Sequence, residues 1–303
     1  MADPAIYRDG LPPEAFTTAA FAKVEDARLW PRTWVCIGAA AEIPAPGDLL
    51  PYTVGVHGIH VQRLSDGGLV GRFNKAQHGG CHFIPLQCQS GRKTRCGFTS
   101  CGYSLDRDPI PAAPDGGETP EMYQYLGMRP DRLGAVTVHA EGPLLFVSVE
   151  PSDAPPATGA LPPVVRPLDR TTVNANWKLV ATSLGDRPQA DLPAGNLVLL
   201  RDEDECCAVI LQPIAPARTA CRIVLLSERS LDEKATARWR GELDERFAGA
   251  VAWQATGRPS GEPSSAVAGW QARLIGALLK SGPERRPVRN SAYPRNHRYG
   301  FVA

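Results

Sequence analysis

What most constrains this chain is its punctuation. Proline and glycine, 29 of each in 303 residues, cut it into short apolar runs, which suits many short strands joined by turns better than a helical protein. In the first part, β runs recur at Thr33–Gly38, Leu49–Val54, His60–Leu64, Leu69–Phe73 and Leu144–Val149, bounded by Gly, Pro and Asp. They predict a small β-sandwich carrying two loops. In the second part, Thr172–Val180, Asn196–Arg201, Cys207–Gln212 and Cys221–Ser227 are long enough for an antiparallel sheet. Two helical stripes follow: Trp239, Leu243, Phe247 and Val251 at four-residue steps, then Val267, Trp270, Leu274 and Leu278 at three- and four-residue steps. Such stripes are core-forming. The expected fold class is α+β, with an antiparallel sheet over a C-terminal helix in the second part.

The stretch Pro151–Arg170, with its Asp-Ala-Pro-Pro-Ala and Leu-Pro-Pro segments, reads as a linker. It divides the chain into an expected first domain, 1–165, and a second, 166–303, each large enough for a core. Lysine plus arginine (33) nearly balances aspartate plus glutamate (32), so no global field points to nucleic acid or to a membrane. The run Arg92-Lys93-Thr94-Arg95 reads as a solvated turn. No apolar stretch approaches membrane-spanning length, and Met-Ala-Asp-Pro-Ala is no signal peptide. A cytoplasmic location is expected, where eight cysteines favour metal binding or burial over disulfides.

Four of those cysteines, Cys81, Cys88, Cys96 and Cys101, fall in one short span with His78 and His82 interleaved. Thiolates and imidazoles on close loops are what a tetrahedral zinc ion takes, as four thiolates or as three with one imidazole. Paired Cys-x-x-Cys knuckles are absent, so a Cys81–Cys101 disulfide and unligated buried thiols stay open beside the metal. Elsewhere, Cys36 and Cys221 read as strand-core thiols and His57 and His60 as surface residues. Cys206 and Cys207, adjacent in a strand, point to opposite sheet faces and cannot clamp one metal together. No Gly-x-Ser-x-Gly elbow, phosphate-binding glycine loop or His-Glu-x-x-His is present.

The chain resembles the large subunit of Rieske non-haem iron oxygenases, the ring-hydroxylating and N-demethylating enzymes. The likeness starts with Phe21–Trp34 and with Glu42-Ile43-Pro44-Ala45-Pro46-Gly47-Asp48, and it runs through Asp66-Gly67-Gly68 and Phe73-Asn74. It includes Tyr103-Ser104-Leu105-Asp106 and resumes at Asn176-Trp177-Lys178-Leu179 and at Gln212-Pro213-Ile214-Ala215-Pro216. The resemblance implies an N-terminal Rieske-like β-sandwich domain and a C-terminal helix-grip domain. It also implies a [2Fe–2S] cluster held by a Cys-x-His loop and a Cys-x-x-His loop. Here those loops offer Ala76 with His78 and Cys96 with Thr99, half of that ligand set.

The family's second domain holds a ferrous iron by two histidines and a carboxylate. Past residue 170 this chain has one histidine, His297, in a polar tail where it reads as exposed. By position Asp186 resembles the family's electron-bridging carboxylate, and Gln189 stands where the first iron histidine is expected. The stretch that would supply the second histidine looks missing before the strand at Leu197. Asp244 and Glu245 loosely match the carboxylate ligand but read as a solvated helix face. No mononuclear iron and no catalytic residue is therefore expected.

Three functions remain. The first is a catalytically silent oxygenase-like subunit, the accessory partner of a competent homologous subunit in a hetero-oligomer. Zinc at Cys81, Cys88, Cys96, Cys101 and His78 would staple it. The second is an electron-transfer or oxygenase component whose 2Fe-2S cluster has rebuilt ligands. The third is a small-ligand-binding module using the apolar cavity that helix-grip folds enclose between sheet and helix.

Overall fold

The computed structural model describes residue 7 and residues 10–55, 57–73, 135–150, 154–229 and 231–280. Two helices open the described chain, α1 (Glu14–Thr17) and α2 (Ala19–Arg28). The Thr18 hydroxyl caps α2 by accepting from the Phe21 amide, and a 3₁₀ turn at Trp30–Arg32 leads out of the helix. Six strands follow: β1 (Val35–Ala39), β2 (Leu49–Val54), β3 (His57–Arg63), β4 (Leu69–Phe73), β5 (Ala135–Glu141) and β6 (Leu144–Ser148). They pair antiparallel in the order β1-β6-β5-β4-β3-β2. The β4–β5 seam is short, joining Gly71 to Val136 and Arg72 to Ala135, so β1-β6-β5 and β4-β3-β2 form two three-stranded halves. β2 and β4 coincide with the expected runs, and β1, β3 and β6 overlap theirs.

A second antiparallel sheet runs β7-β11-β10-β9-β8. Its strands are β7 (Val164–Val173), β8 (Ala190–Ala194), β9 (Leu197–Arg201), β10 (Glu205–Ala215) and β11 (Arg218–Ser227). Three helices accompany it: α3 (Trp177–Gly185), α4 (Glu233–Thr256) and α5 (Ser265–Leu279). Asn176, Asp232 and Ser264 cap their N-termini with side-chain oxygens, and Gly257 closes α4 in the left-handed conformation. Trp177, Trp239 and Trp270 are fully buried, and Trp270 meets Trp177 edge-on with ring centroids 5.7 Å apart. The fold is thus mixed α and β with antiparallel sheets, as expected.

Four expectations change. The run Thr172–Val180 is not one strand: β7 ends at Val173 and α3 begins at Trp177. Every residue of α3 is buried, Lys178, Thr182 and Ser183 included, and its nine residues are too few for a stripe to stand out from the strand before it. The linker Pro151–Arg170 is shorter than expected, because β7 starts at Val164. That strand reads as linker because it is a mostly exposed edge, with Pro167 beside its register shift against β11. On α4 the buried stripe is Trp239, Leu243, Phe247 and Ala250, while Val251 is exposed. A four-residue step advances about 40° more than a helical turn, so a strict four-step stripe walks off the buried face. Finally, His57 and His60 are buried, not on the surface. Burial, with Arg72 adding to it, pushes the His60 imidazole down to about 3 and keeps it neutral.

The β1 edge packs on the second sheet through polar straps. Asn196, just before β9, accepts from the Cys36 amide at 2.9 Å and donates to the Cys36 carbonyl at 2.7 Å and to the Tyr52 hydroxyl at 3.0 Å. Arg222 of β11 donates to the Ile37 carbonyl at 2.8 Å and meets Glu42 at 3.2 Å, while Arg170 of β7 reaches the other Glu42 oxygen at 2.8 Å. Gly38 makes room for this pair, since a Cβ there would lie 2.4 Å from the Glu42 carboxylate.

Candidate functional site: the α3–β8 turn and a cleft beside α2

The expected metal ligands Cys81, Cys88, Cys96, Cys101 and His78, with His82, Ala76 and Thr99, lie outside the described residues, as does His297. Cys36, Cys206, Cys207 and Cys221 are buried free thiols. Burial pushes Cys36 and Cys221 up to about 12 and Cys206 up to about 11, and raises Cys207 as well. These thiols stay protonated and inert, as core residues do. Among the described residues, no group of three or more His, Cys, Asp or Glu side chains is placed to hold a metal ion.

The position at which the resemblance expects iron is the turn from α3 into β8. Asp186 is the C-cap of α3, and its carboxylate accepts from the Ser264 amide at 3.1 Å. Ser264 in turn donates to the Gly185 carbonyl at 3.0 Å and caps α5. Asp186 therefore splices the end of α3 to the start of α5. Gln189 is exposed and holds φ at +62°, a conformation that non-glycine residues rarely adopt. One residue later the chain enters β8. This turn offers no imidazole, and one oxygen of its one carboxylate is taken by the Ser264 amide. The residues present do not fit a mononuclear ferrous site. Asp244 and Glu245 are exposed on α4, as expected of a solvated face.

A cleft of about 240 Å³ opens elsewhere, between one face of α2, the end of β2, the start of α3 and the end of β10. Its α2 wall is Ala19, Ala22, Lys23, Asp26 and, just past the helix, Trp30. Spacings of three and four residues put these on one helix face. Opposite lie Pro213, Ile214, Ala215 and Pro216, and the floor is formed by Tyr52 and Trp177. Below the floor, the fully buried Lys178 ammonium meets Glu25 at 2.7 Å, and the Trp177 indole donates to the same carboxylate at 3.3 Å. Asp26 sits beside this pair, and burial first, then the Glu25 charge, pushes its carboxyl up to about 6.

Helix-grip folds place their cavity between sheet and helix. Here the described cleft lies outside that space, against α2. No sequence periodicity marks Glu25 and Asp26, because their roles depend on Lys178 and on a wall more than 150 residues away, the pair itself being 153 positions apart.

This architecture, a divided β-sandwich strapped to a five-stranded sheet with α3–α5, is the fold of the oxygenase subunits of Rieske non-haem iron oxygenases. In particular, it matches a quaternary ammonium Rieske monooxygenase in complex with gamma-butyrobetaine. That match has a TM-score of 0.59 and 11% identity over 89% of this chain and 95% of that one. The L-carnitine complex matches with a TM-score of 0.55 and 12% identity over 91% and 97% of the two chains. In sequence, the chain is 25% identical over 184 residues to the glycine betaine monooxygenase oxygenase subunit of Pseudomonas aeruginosa, covering 56% of this chain and 41% of that protein. The corresponding subunit of Chromohalobacter salexigens is 28% identical over 171 residues, covering 52% and 37%. The chain thus spans less than half the length of these curated relatives. No protein-family model matches it. Among the described residues, no helix is long and apolar enough to cross a membrane.

Proposed function

We propose that this protein is a catalytically silent relative of the Rieske oxygenase subunit, held as an accessory partner of a competent homologue. The observation that carries this reading is the α3–β8 turn: Gln189 stands exposed where an iron imidazole is expected, and the Asp186 carboxylate is tied to the amide of Ser264 at the start of α5. Past residue 170 the chain supplies one histidine, short of the two that the family's ferrous site needs. The curated relatives are named as oxygenase subunits, which supports an assembly as the setting. In this reading Cys81, Cys88, Cys96, Cys101 and His78 hold zinc as a staple. The domains divide near 165, and the protein works in the cytoplasm with no nucleic acid or membrane partner.

A second reading is favoured by the Rieske identity of the matched proteins: the same residues hold a 2Fe-2S cluster with rebuilt ligands, and the chain passes electrons to a partner. More thiolate ligation lowers the potential below the Rieske range, because imidazole ligands raise it.

Metal and acid-labile sulfide analysis of anaerobically purified protein, with its absorption spectrum, separates the two. About one zinc per chain, without sulfide or colour, is the expected result, together with a homologous subunit that co-purifies. Two irons with two sulfides would replace the first reading by the second. Oxygen consumption by the isolated chain, coupled to substrate and scaling with added ferrous iron, would overturn the silent subunit altogether.

A further inference from the structure

The cleft beside α2 has polar side chains that are nearly all spent. The Glu25 carboxylate takes Lys178 and the Trp177 indole. The Asn176 amide accepts from the Lys178 backbone and donates to the Pro216 carbonyl at 2.6 Å. The Tyr52 hydroxyl donates to the Leu211 carbonyl and accepts from Asn196. Three groups on the lining remain without a hydrogen-bond or ion-pair partner among the described residues: the Asp26 carboxylate, the half-buried Thr53 hydroxyl and the exposed Lys23 ammonium. Of these three, only Asp26 is an anion. The rest of the surface is alanine, valine, proline, isoleucine and the faces of Trp30, Tyr52 and Trp177.

We propose that this cleft binds a small protonated tertiary amine, whose single N–H is donated to the Asp26 carboxylate while its alkyl or aryl groups pack on the aromatic floor. The donor count and the apolar lining together select the class. A primary ammonium spends its three donors on the two Asp26 oxygens and the Thr53 hydroxyl, and leaves the apolar lining around its nitrogen without alkyl groups to cover it. A quaternary ammonium has no donor for Asp26. A neutral hydrocarbon leaves the carboxylate buried and unpaired. A tertiary ammonium gives one charge-assisted hydrogen bond to Asp26 and covers the apolar lining with its substituents, and its positive charge is favoured over indole and phenol faces. Lys23 opposes the charge but is exposed on its flexible stem, free to turn to solvent. At about 240 Å³ the cleft is smaller than the roughly 300–1,000 Å³ of drug-sized sites, so the ligand is small. The site shares no residue with the Asp186–Gln189 turn and stands whether or not the chain carries a metal.

Titration calorimetry on the whole chain at neutral pH tests this, with N,N-dimethylbenzylamine as the probe. Benzyltrimethylammonium and isobutylbenzene serve as its quaternary and neutral counterparts. The tertiary amine is expected to bind on the order of tenfold or more tighter than either, the scale of one charge-assisted hydrogen bond. Asp26→Asn should remove that preference while circular dichroism stays unchanged. Ala22→Phe, which fills the cleft from the helix face, should abolish binding of all three. Equal affinity for isobutylbenzene, or an unaltered preference in Asp26→Asn, would overturn the assignment. Tighter binding of the quaternary probe would also overturn it and leave an aromatic cation site that does not use Asp26. No binding of the amine would end it.

Discussion

Asp26 sits on the last turn of α2, beside Glu25 and at the carbonyl end of the helix, where a negative charge is least welcome. Its carboxyl titrates near 6 in the folded chain and at about 3.8 in an unfolded one. Between those values the native state holds a proton that the unfolded state has released. Stability therefore falls as pH rises from about 4 to about 6, and the full loss persists at neutral pH. The loss is on the order of 2–3 kcal/mol. Asp26→Asn is expected to raise stability at pH 7.5 by up to that amount and to flatten the profile between pH 4 and 6. Urea midpoints of both proteins across that range check it, and parallel profiles would refute the shift. None of this was legible in the sequence, where Glu25-Asp26 reads as an ordinary acidic pair on a helix surface.

At the scale of elements, legibility followed the bounding turns. Strands with one clear bounding turn, such as β2 and β4, were placed to the residue, and α5 showed its stripe. The buried α3 reads as strand because its nine residues are short for a helical stripe and follow the β7 run with no Gly or Pro between them. Its sequence did hold one legible cue, Asn176 as an N-cap just before Trp177. The same helix carries a local conflict. The Thr182 hydroxyl is buried and has no hydrogen-bond partner among the described residues. Replacing it by the near-isosteric valine removes an unsatisfied polar group and keeps the volume. Thr182→Val is expected to stabilise the protein by about 1 kcal/mol, read as a higher denaturation midpoint with unchanged slope. A loss of stability would mean that the hydroxyl has a partner in solution, most simply a bound water. The Asp186 splice and the +62° turn at Gln189 were not legible either. Their positions were marked by likeness to ligands, whereas their actual partners, Ser264 and β8, lie in other elements.

In the whole molecule, the two sheets are joined by groups that no local pattern could reveal. Cys36 and Asn196 are 160 positions apart, and Arg222 meets Ile37 across 185. Asn196 acts as a backbone surrogate for β1: it closes the amide and the carbonyl of Cys36, which have no strand partner on that side, and it orients Tyr52. Each is buried, so each group left open costs about 1–3 kcal/mol. Asn196→Ala is expected to lower stability by roughly 3–4 kcal/mol, because it opens both Cys36 groups at once and leaves a small void. The two halves should still unfold together, since the Glu42–Arg222–Arg170 cluster and the Glu25–Lys178 pair also cross between them. Four of the six tryptophans, Trp177, Trp239, Trp253 and Trp270, lie in the helices of the second sheet, so fluorescence weights that half, with Trp30 and Trp34 reporting beside the first. Far-UV circular dichroism reports on both sheets. Coincident urea transitions at a lower midpoint would establish Asn196 as a strap within one cooperative unit. A first sheet that melts ahead of the tryptophan signal would show that this single amide, more than the ionic clusters, holds the halves together.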